Sequence, residues 1–141
     1  SPSSPSSPSS FSSAHPPLIL LAEDHEANIF TITQYLEAYG YRIILANNGK
    51  EAVEIAKAQR PDLILMDVQM PEMDGLEATR QIRADAEIAH IPIIALTSFA
   101  MVTDREQVMA SGVDSYIPKP VSLKQLVGEI GEYLSNKQFE T

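Results

Sequence analysis

The run Asp62-Leu-Ile-Leu-Met-Asp67, continued by Val68-Gln-Met-Pro-Glu-Met-Asp-Gly75, decides the fold. Four consecutive apolar residues bounded by acids and then by Pro71 and Gly75 are too short for a helix, and they read as a strand buried on both faces. Asp67 closes that strand, at the carboxyl end where open α/β sheets place their chemistry. A second apolar run, Leu18-Ile-Leu-Leu-Ala, closes on two more acids, Glu23 and Asp24.

Helical patterns alternate with such runs along the chain. Strands are expected at Leu18–Glu23, Tyr41–Ala46, Asp62–Met66, Pro92–Thr97 and Asp114–Ile117. The first helix is read over His25–Tyr39, with Ile29, Ile32, Thr33 and Leu36 at helical spacing and Gly40 as its stop. Asn48 with Glu51 marks a capped start for the second, which carries Ala52, Val53 and Ala56 and closes before Pro61. Leu76, Thr79 and Ile82 mark the third. Thr103 with Glu106 starts the fourth and Gly112 ends it. Ser122 with Gln125 starts the fifth, whose apolar face is Leu123, Val127, Ile130 and Leu134. Continuous apolar strands separated by helices imply a parallel sheet covered on both faces. With right-handed crossovers the expected architecture is a flavodoxin-like, doubly wound (βα)5 fold with strand order 2-1-3-4-5.

The 141 residues suit one domain, read over 18–135. Residues 1–17 are Ser/Pro-rich and read as a disordered linker, and 136–141 as a C-terminal tail. The start at Ser1 suggests a fragment or a processed product. A net charge of −9 and a pI near 4.6 argue against binding a nucleic-acid backbone. No cysteine is present, so disulfides and thiolate metal sites are excluded. No apolar run is long enough to span a bilayer, and a cytoplasmic module is expected.

Strand order 2-1-3 makes Glu23, Asp24 and Asp67 neighbours. Three ionised carboxylates need a counter-charge, and a hard cation such as Mg²⁺ supplies one. Thr97 and Lys119 end or follow strands on the same edge. An acid cluster, a hydroxyl and an ammonium suit phosphoryl transfer to a carboxylate. Asp67 is the expected nucleophile, Asp24 and Asp67 with Glu23 the expected Mg²⁺ ligands, and Lys119 and Thr97 the expected holders of phosphoryl oxygens. Taken singly, each residue has a structural reading: Asp67 as a turn former, the acidic pair as a helix cap, Lys119 as a solvated lysine, Tyr116 as half-buried packing. His25 is read as a surface residue at a helix start, because Mg²⁺ prefers oxygen. Asp74-Gly75 is read as turn chemistry.

Glu23-Asp24, the Asp67–Gly75 segment, Ala95-Leu-Thr97 and Tyr116-Ile-Pro-Lys-Pro120 together resemble the receiver domain of bacterial two-component response regulators, over about Leu18 to Leu134. The resemblance implies that Asp67 accepts a phosphoryl group from a histidine kinase or a histidine phosphotransfer protein. It implies that the Gln69 carbonyl completes the metal ligands, that Thr97 and Tyr116 form a switch pair, and that the Lys119–Pro120 bond is cis. Output then passes through the face made by the fourth helix, fifth strand and fifth helix, in a monomer or weak dimer that turns over only its own phosphate. The region Leu18–Tyr41 is similar to C-terminal receivers of hybrid sensor histidine kinases. Three alternatives are weaker. A haloacid-dehalogenase-type phosphatase wants a second Asp where Gln69 stands. A phosphate-independent interaction domain would not need Asp67, Lys119 and the acidic pair. A flavin binder conflicts with the acidic Asp24-His-Glu-Ala-Asn28 loop. Phe99, two residues past Thr97, is expected to shield the acyl phosphate. Phe99→Ala should then shorten its lifetime, followed by loss of label from the phosphorylated protein; an equal or longer lifetime removes that role.

Overall fold

A computed structural model describes residues 16–68, 74–98 and 102–139. Five strands and five helices alternate among them: β1 (Leu18–Ala22), α1 (Glu26–Ala38), β2 (Arg42–Ala46), α2 (Gly49–Gln59), β3 (Leu63–Asp67), α3 (Gly75–Ala84), β4 (Ile93–Thr97), α4 (Val102–Ala110), β5 (Ser115–Pro118) and α5 (Leu123–Phe139). All strand pairs are parallel and the order is β2-β1-β3-β4-β5. This is the expected doubly wound sheet, and strand limits agree with the sequence reading to within one residue. Gln69 and Phe99, and the 1–15 part of the expected linker, lie outside the described residues. Pro16 and Pro17 are tied to the domain: the Arg42 N–H donates to the Pro17 carbonyl and Arg42 Nε to that of Pro16.

Alternation along each strand splits the core in two. Ile19, Leu21, Leu63, Leu65, Ile94, Leu96 and Ile117 pack with Ile32 and Leu36 of α1 and Leu126 and Ile130 of α5. Leu20, Ala22, Ile64, Met66, Ile93 and Ala95 pack on the other side with residues of α2, α3 and α4. Fully burying each such Leu or Ile contributes roughly 1.5–3 kcal/mol. The buried seam of α5 is Leu126 and Ile130, with Leu123, Val127 and Leu134 flanking it. Leu126 was absent from the face expected for that helix because a broad apolar stripe does not reveal its own centre.

Local stops follow the sequence. Asn48 Oδ1 accepts from the Glu51 N–H, while Glu51 Oε1 reaches back to the Asn47 N–H. Ser122 Oγ accepts from the Gln125 N–H. Gly40 and Gly112 follow α1 and α4 with φ of +93° and +111°, a region that favours glycine. Two helix limits differ from expectation. α4 begins at Val102, which puts Thr103 inside the helix, and α5 runs on to Phe139, through most of the stretch read as a tail.

Arg83, near the end of α3, joins elements that sequence alone does not connect. It donates to the carbonyls of Gly112, Ala89 and Ile91 and to Asp114 Oδ2, each at 2.7 Å. Asp114 Oδ2 also accepts the Ile93 N–H at 2.8 Å. One half-buried guanidinium thus fixes the entry to β4 and the α4–β5 turn to α3. Arg83→Met should cost about 2–4 kcal/mol, because it strips charged donors from partly buried acceptors. Glu87→Gln, which breaks the exposed Arg60–Glu87 pair, should cost under about 1 kcal/mol. Urea denaturation midpoints of the two variants check the contrast.

Candidate functional site

The parallel register brings four strand ends to one edge. Ala22 lies beside Met66, Asp67 beside Leu96, and Thr97 beside Pro118. Glu23 follows β1, Asp67 ends β3, Thr97 ends β4 and Lys119 follows β5. Alternation then sorts them by face. Glu23 and Asp67 continue the series Ile19-Leu21 and Leu63-Leu65, on the α1/α5 side, and Lys119 continues from Ile117. Thr97 continues Ile93-Ala95 on the opposite side, where Tyr116 also packs.

The core of the site is electrostatic. Glu23 and Asp67 are almost wholly excluded from solvent, 0% and 2% exposed. Lys119 Nζ stands 3.0 Å from Asp67 Oδ2 and 3.9 Å from Glu23 Oε1. One ammonium therefore faces two buried carboxyls. Glu23 Oε2 accepts the His25 N–H at 3.2 Å, whereas Oε1 has no hydrogen-bond partner. Glu23 and Asp67 face one another, and a bond between their carboxyls forms only when one holds a proton. Burial, the proton shared with Asp67 and the Asp67 charge push Glu23 up from 4.5 to about 7, with Lys119 and the His25 N–H opposing.

Asp24 is exposed at the rim. Its carboxylate, that of Glu23 and the His25 imidazole have donor atoms all within 4.8 Å of one another; Asp67, which touches Glu23, is not in that trio. The donor set of buried and rim carboxylates, with one buried oxygen lacking a donor, fits a divalent cation. His25 is exposed at the start of α1, as the sequence reading has it, and its imidazole lies within that distance of both acids. His90 is exposed and away from this edge.

Backbone contacts tie the edge together. The Thr97 carbonyl accepts the Lys119 N–H at 2.7 Å, Thr97 is 1% exposed, and the Lys119–Pro120 peptide is cis. Tyr116 is half-buried and lines an open groove with Arg105, Glu106, Met109 and Ala110. Asp74 caps α3 through Oδ1 and the Glu77 N–H, as turn chemistry predicts. Gly75 has a further reason to lack a side chain: a Cβ there would collide with the Asp67 carbonyl and come within 2.9 Å of Met66 Cγ. The Gly75 N–H donates to Val68 at 2.9 Å, so α3 begins against the end of β3.

Comparisons with known proteins converge. The response regulator receiver domain family matches residues 19–131. The polar-differentiation response regulator DivK of Brucella anthropi is 43% identical over 121 residues, covering 86% of this chain and 98% of DivK. The receiver domain of sensor histidine kinase PA1611 from Pseudomonas aeruginosa, whose crystal structure has magnesium coordinated in the active site cleft, superposes with a TM-score of 0.81 at 39% identity, covering 86% of this chain and 99% of that one. The signal receiver domain of a histidine kinase from Syntrophus aciditrophicus gives a TM-score of 0.81 at 34% identity, covering 85% and 91%.

The raised Glu23 pKa has a consequence for stability. Between pH about 4.5 and 7 the folded chain holds a proton that the unfolded chain has released, so stability falls as pH rises. The contribution is complete below pH 4.5 and lost as pH passes 7, and is on the order of 3 kcal/mol. In chelator-treated protein, Glu23→Gln should flatten this fall, read from urea midpoints at pH 5 and 8; an equally steep fall in the variant assigns the titration elsewhere.

Proposed function

The chain belongs to the response regulator receiver domain family, and from that premise we propose that Asp67 is the residue that takes the phosphoryl group. Such domains are phosphoryl-accepting signalling modules, supplied by histidine kinases or histidine phosphotransfer proteins. The observation that carries the assignment is Lys119 Nζ at 3.0 Å from Asp67 Oδ2, beside buried Glu23. An Asp67 oxygen forms the bond to phosphorus, the N–P bond of a phosphohistidine protonated on its other ring nitrogen breaks, and the imidazole leaves neutral, keeping the electron pair and that proton. Lys119 holds Asp67 in place and offers its ammonium to an incoming phosphoryl oxygen as a point charge. The Thr97 hydroxyl donates to another.

Glu23 and Asp24, with Asp67 and the Gln69 carbonyl, are the residues proposed to hold Mg²⁺. A bound Mg²⁺ neutralises phosphoryl oxygens. Glu23 Oε1, buried and without a hydrogen-bond donor, supports a cation there, and PA1611's receiver has magnesium in its cleft.

Thr97 and Tyr116 lie on one face of the sheet, two register steps apart on adjacent strands. They are proposed as the switch: Thr97 moves toward the phosphoryl group, Tyr116 follows inward, and the α4–β5–α5 surface changes for a downstream partner. Phosphorylation biases two pre-existing states by its differential interaction with them. No helix among the described residues is long and apolar enough to cross a membrane. The proposed setting is the cytoplasm, as a monomer or weak dimer that binds no nucleic acid. Two similar structures are receivers of histidine kinases, which supports a hybrid-kinase setting. The phosphatase alternative is not favoured, since the matching family is a signalling one.

Intact-mass analysis after acetyl phosphate and Mg²⁺ should find one added phosphoryl group on the wild type and none on Asp67→Asn, with far-UV circular dichroism unchanged. Phosphoryl uptake by folded Asp67→Asn removes Asp67 from the role.

A further inference from the structure

We propose that His25 is a metal ligand and that, with Glu23 and Asp24, it forms a site for a borderline divalent transition ion of the Zn²⁺ class. The inference deepens the cation-site reading of this edge and rests on it.

Three observations carry it. The ligand atoms of Glu23, Asp24 and His25 lie within 4.8 Å of one another. Ligands about 2.0–2.1 Å from a tetrahedral ion stand roughly 3.3 Å apart, so these atoms need converge by no more than about 1.5 Å. The second observation is Glu23 Oε1, which belongs to a side chain 0% exposed and has no hydrogen-bond partner, the Lys119 ammonium standing off at 3.9 Å. A buried acceptor without a donor, on a carboxyl grouped with two other ligand side chains, points to a cation. Third, His25 stands at the N-cap of α1 in extended conformation, yet its side chain makes no capping hydrogen bond. Its backbone N–H holds Glu23 Oε2 at 3.2 Å. The main chain therefore orients the acid while the exposed imidazole stays available.

The donor set separates two classes of ion. Mg²⁺ demands near-octahedral oxygen and keeps its waters, so carboxylates suffice. Imidazole adds affinity for Zn²⁺, Co²⁺ or Ni²⁺, which accept nitrogen. Two carboxylates and one imidazole supply three ligands and leave a fourth position for water. Since Glu23 and Asp24 serve both ions, the two compete. A transition ion drawn toward His25 holds the acids that Mg²⁺ requires.

The test uses the whole chain and the metals alone, without a phosphodonor. Calorimetric titration of Zn²⁺ and of Mg²⁺ gives the ratio of their affinities in wild type, His25→Ala and His90→Gln. His25→Ala should lower the Zn²⁺ to Mg²⁺ ratio about tenfold or more, and His90→Gln should leave it at the wild-type value. In the wild type, Zn²⁺ should shift the imidazole ¹⁵N resonances of His25 ahead of those of His15 and His90. An unchanged ratio in His25→Ala, or ring nitrogens of His15 or His90 responding first, overturns the proposal. Phosphoryl uptake by the wild type with Mg²⁺ is read separately. Its absence beside a His25-dependent Zn²⁺ response defeats the assignment of Asp67 and leaves this inference standing; the reverse pattern defeats this inference alone.

Discussion

One ammonium facing two buried carboxyls sets the terms for the whole carboxyl edge. Glu23 and Asp67 are sealed from water, and Lys119 is the cation that meets both. A single positive charge cannot balance two negative ones in a poorly solvated place. The imbalance is met either by a proton on Glu23, whose pKa is raised to about 7, or by a second cation. The same deficit accounts for a buried acceptor oxygen without a donor at this edge. The donor set gathered at this edge fits a divalent ion.

Strand alternation decides how that edge communicates with the rest of the protein. The acids and Lys119 continue the rows that pack on α1 and α5, while Thr97 and Tyr116 continue the rows that pack toward α2, α3 and α4. The two sides are joined at β4 and β5, where the Lys119 N–H is bonded to the Thr97 carbonyl at 2.7 Å. That bond lies at the register level where Thr97 meets Pro118. Chemistry and groove occupy opposite faces of a sheet one residue thick.

Legibility in the sequence followed the range of the interaction. Period-two burial, helix caps and glycine stops are local, and they place every strand within a residue of its observed limits. The order of strands is also legible, because right-handed crossovers leave few alternatives. Long-range geometry was not. Arg83 carries no local signal, yet it reaches carbonyls six, eight and 29 residues away. Gly75 reads as a turn glycine, and only the packing reveals that the Asp67 carbonyl occupies the space of its absent Cβ. His25 reads as a surface residue and is one; what its neighbours in sequence do not reveal is that its ring lies within 4.8 Å of the Glu23 and Asp24 carboxylates.

These long-range contacts also tie the two ends of α3 to the sheet. At the end of β3, Gly75 lets α3 start against Asp67, and at the far end of α3 Arg83 clamps Gly112 and Asp114. The helix is therefore a strut between the acidic edge and the turn that feeds β5. Between those fixed points, the α4 side of the sheet offers an open groove with Tyr116 half-buried beside exposed Met109. A conformational response is cheapest where backbone hydrogen bonds and buried contacts are fewest. Among the described side chains, α4 buries Val108, whereas α3 buries Ala78, Thr79 and Ile82.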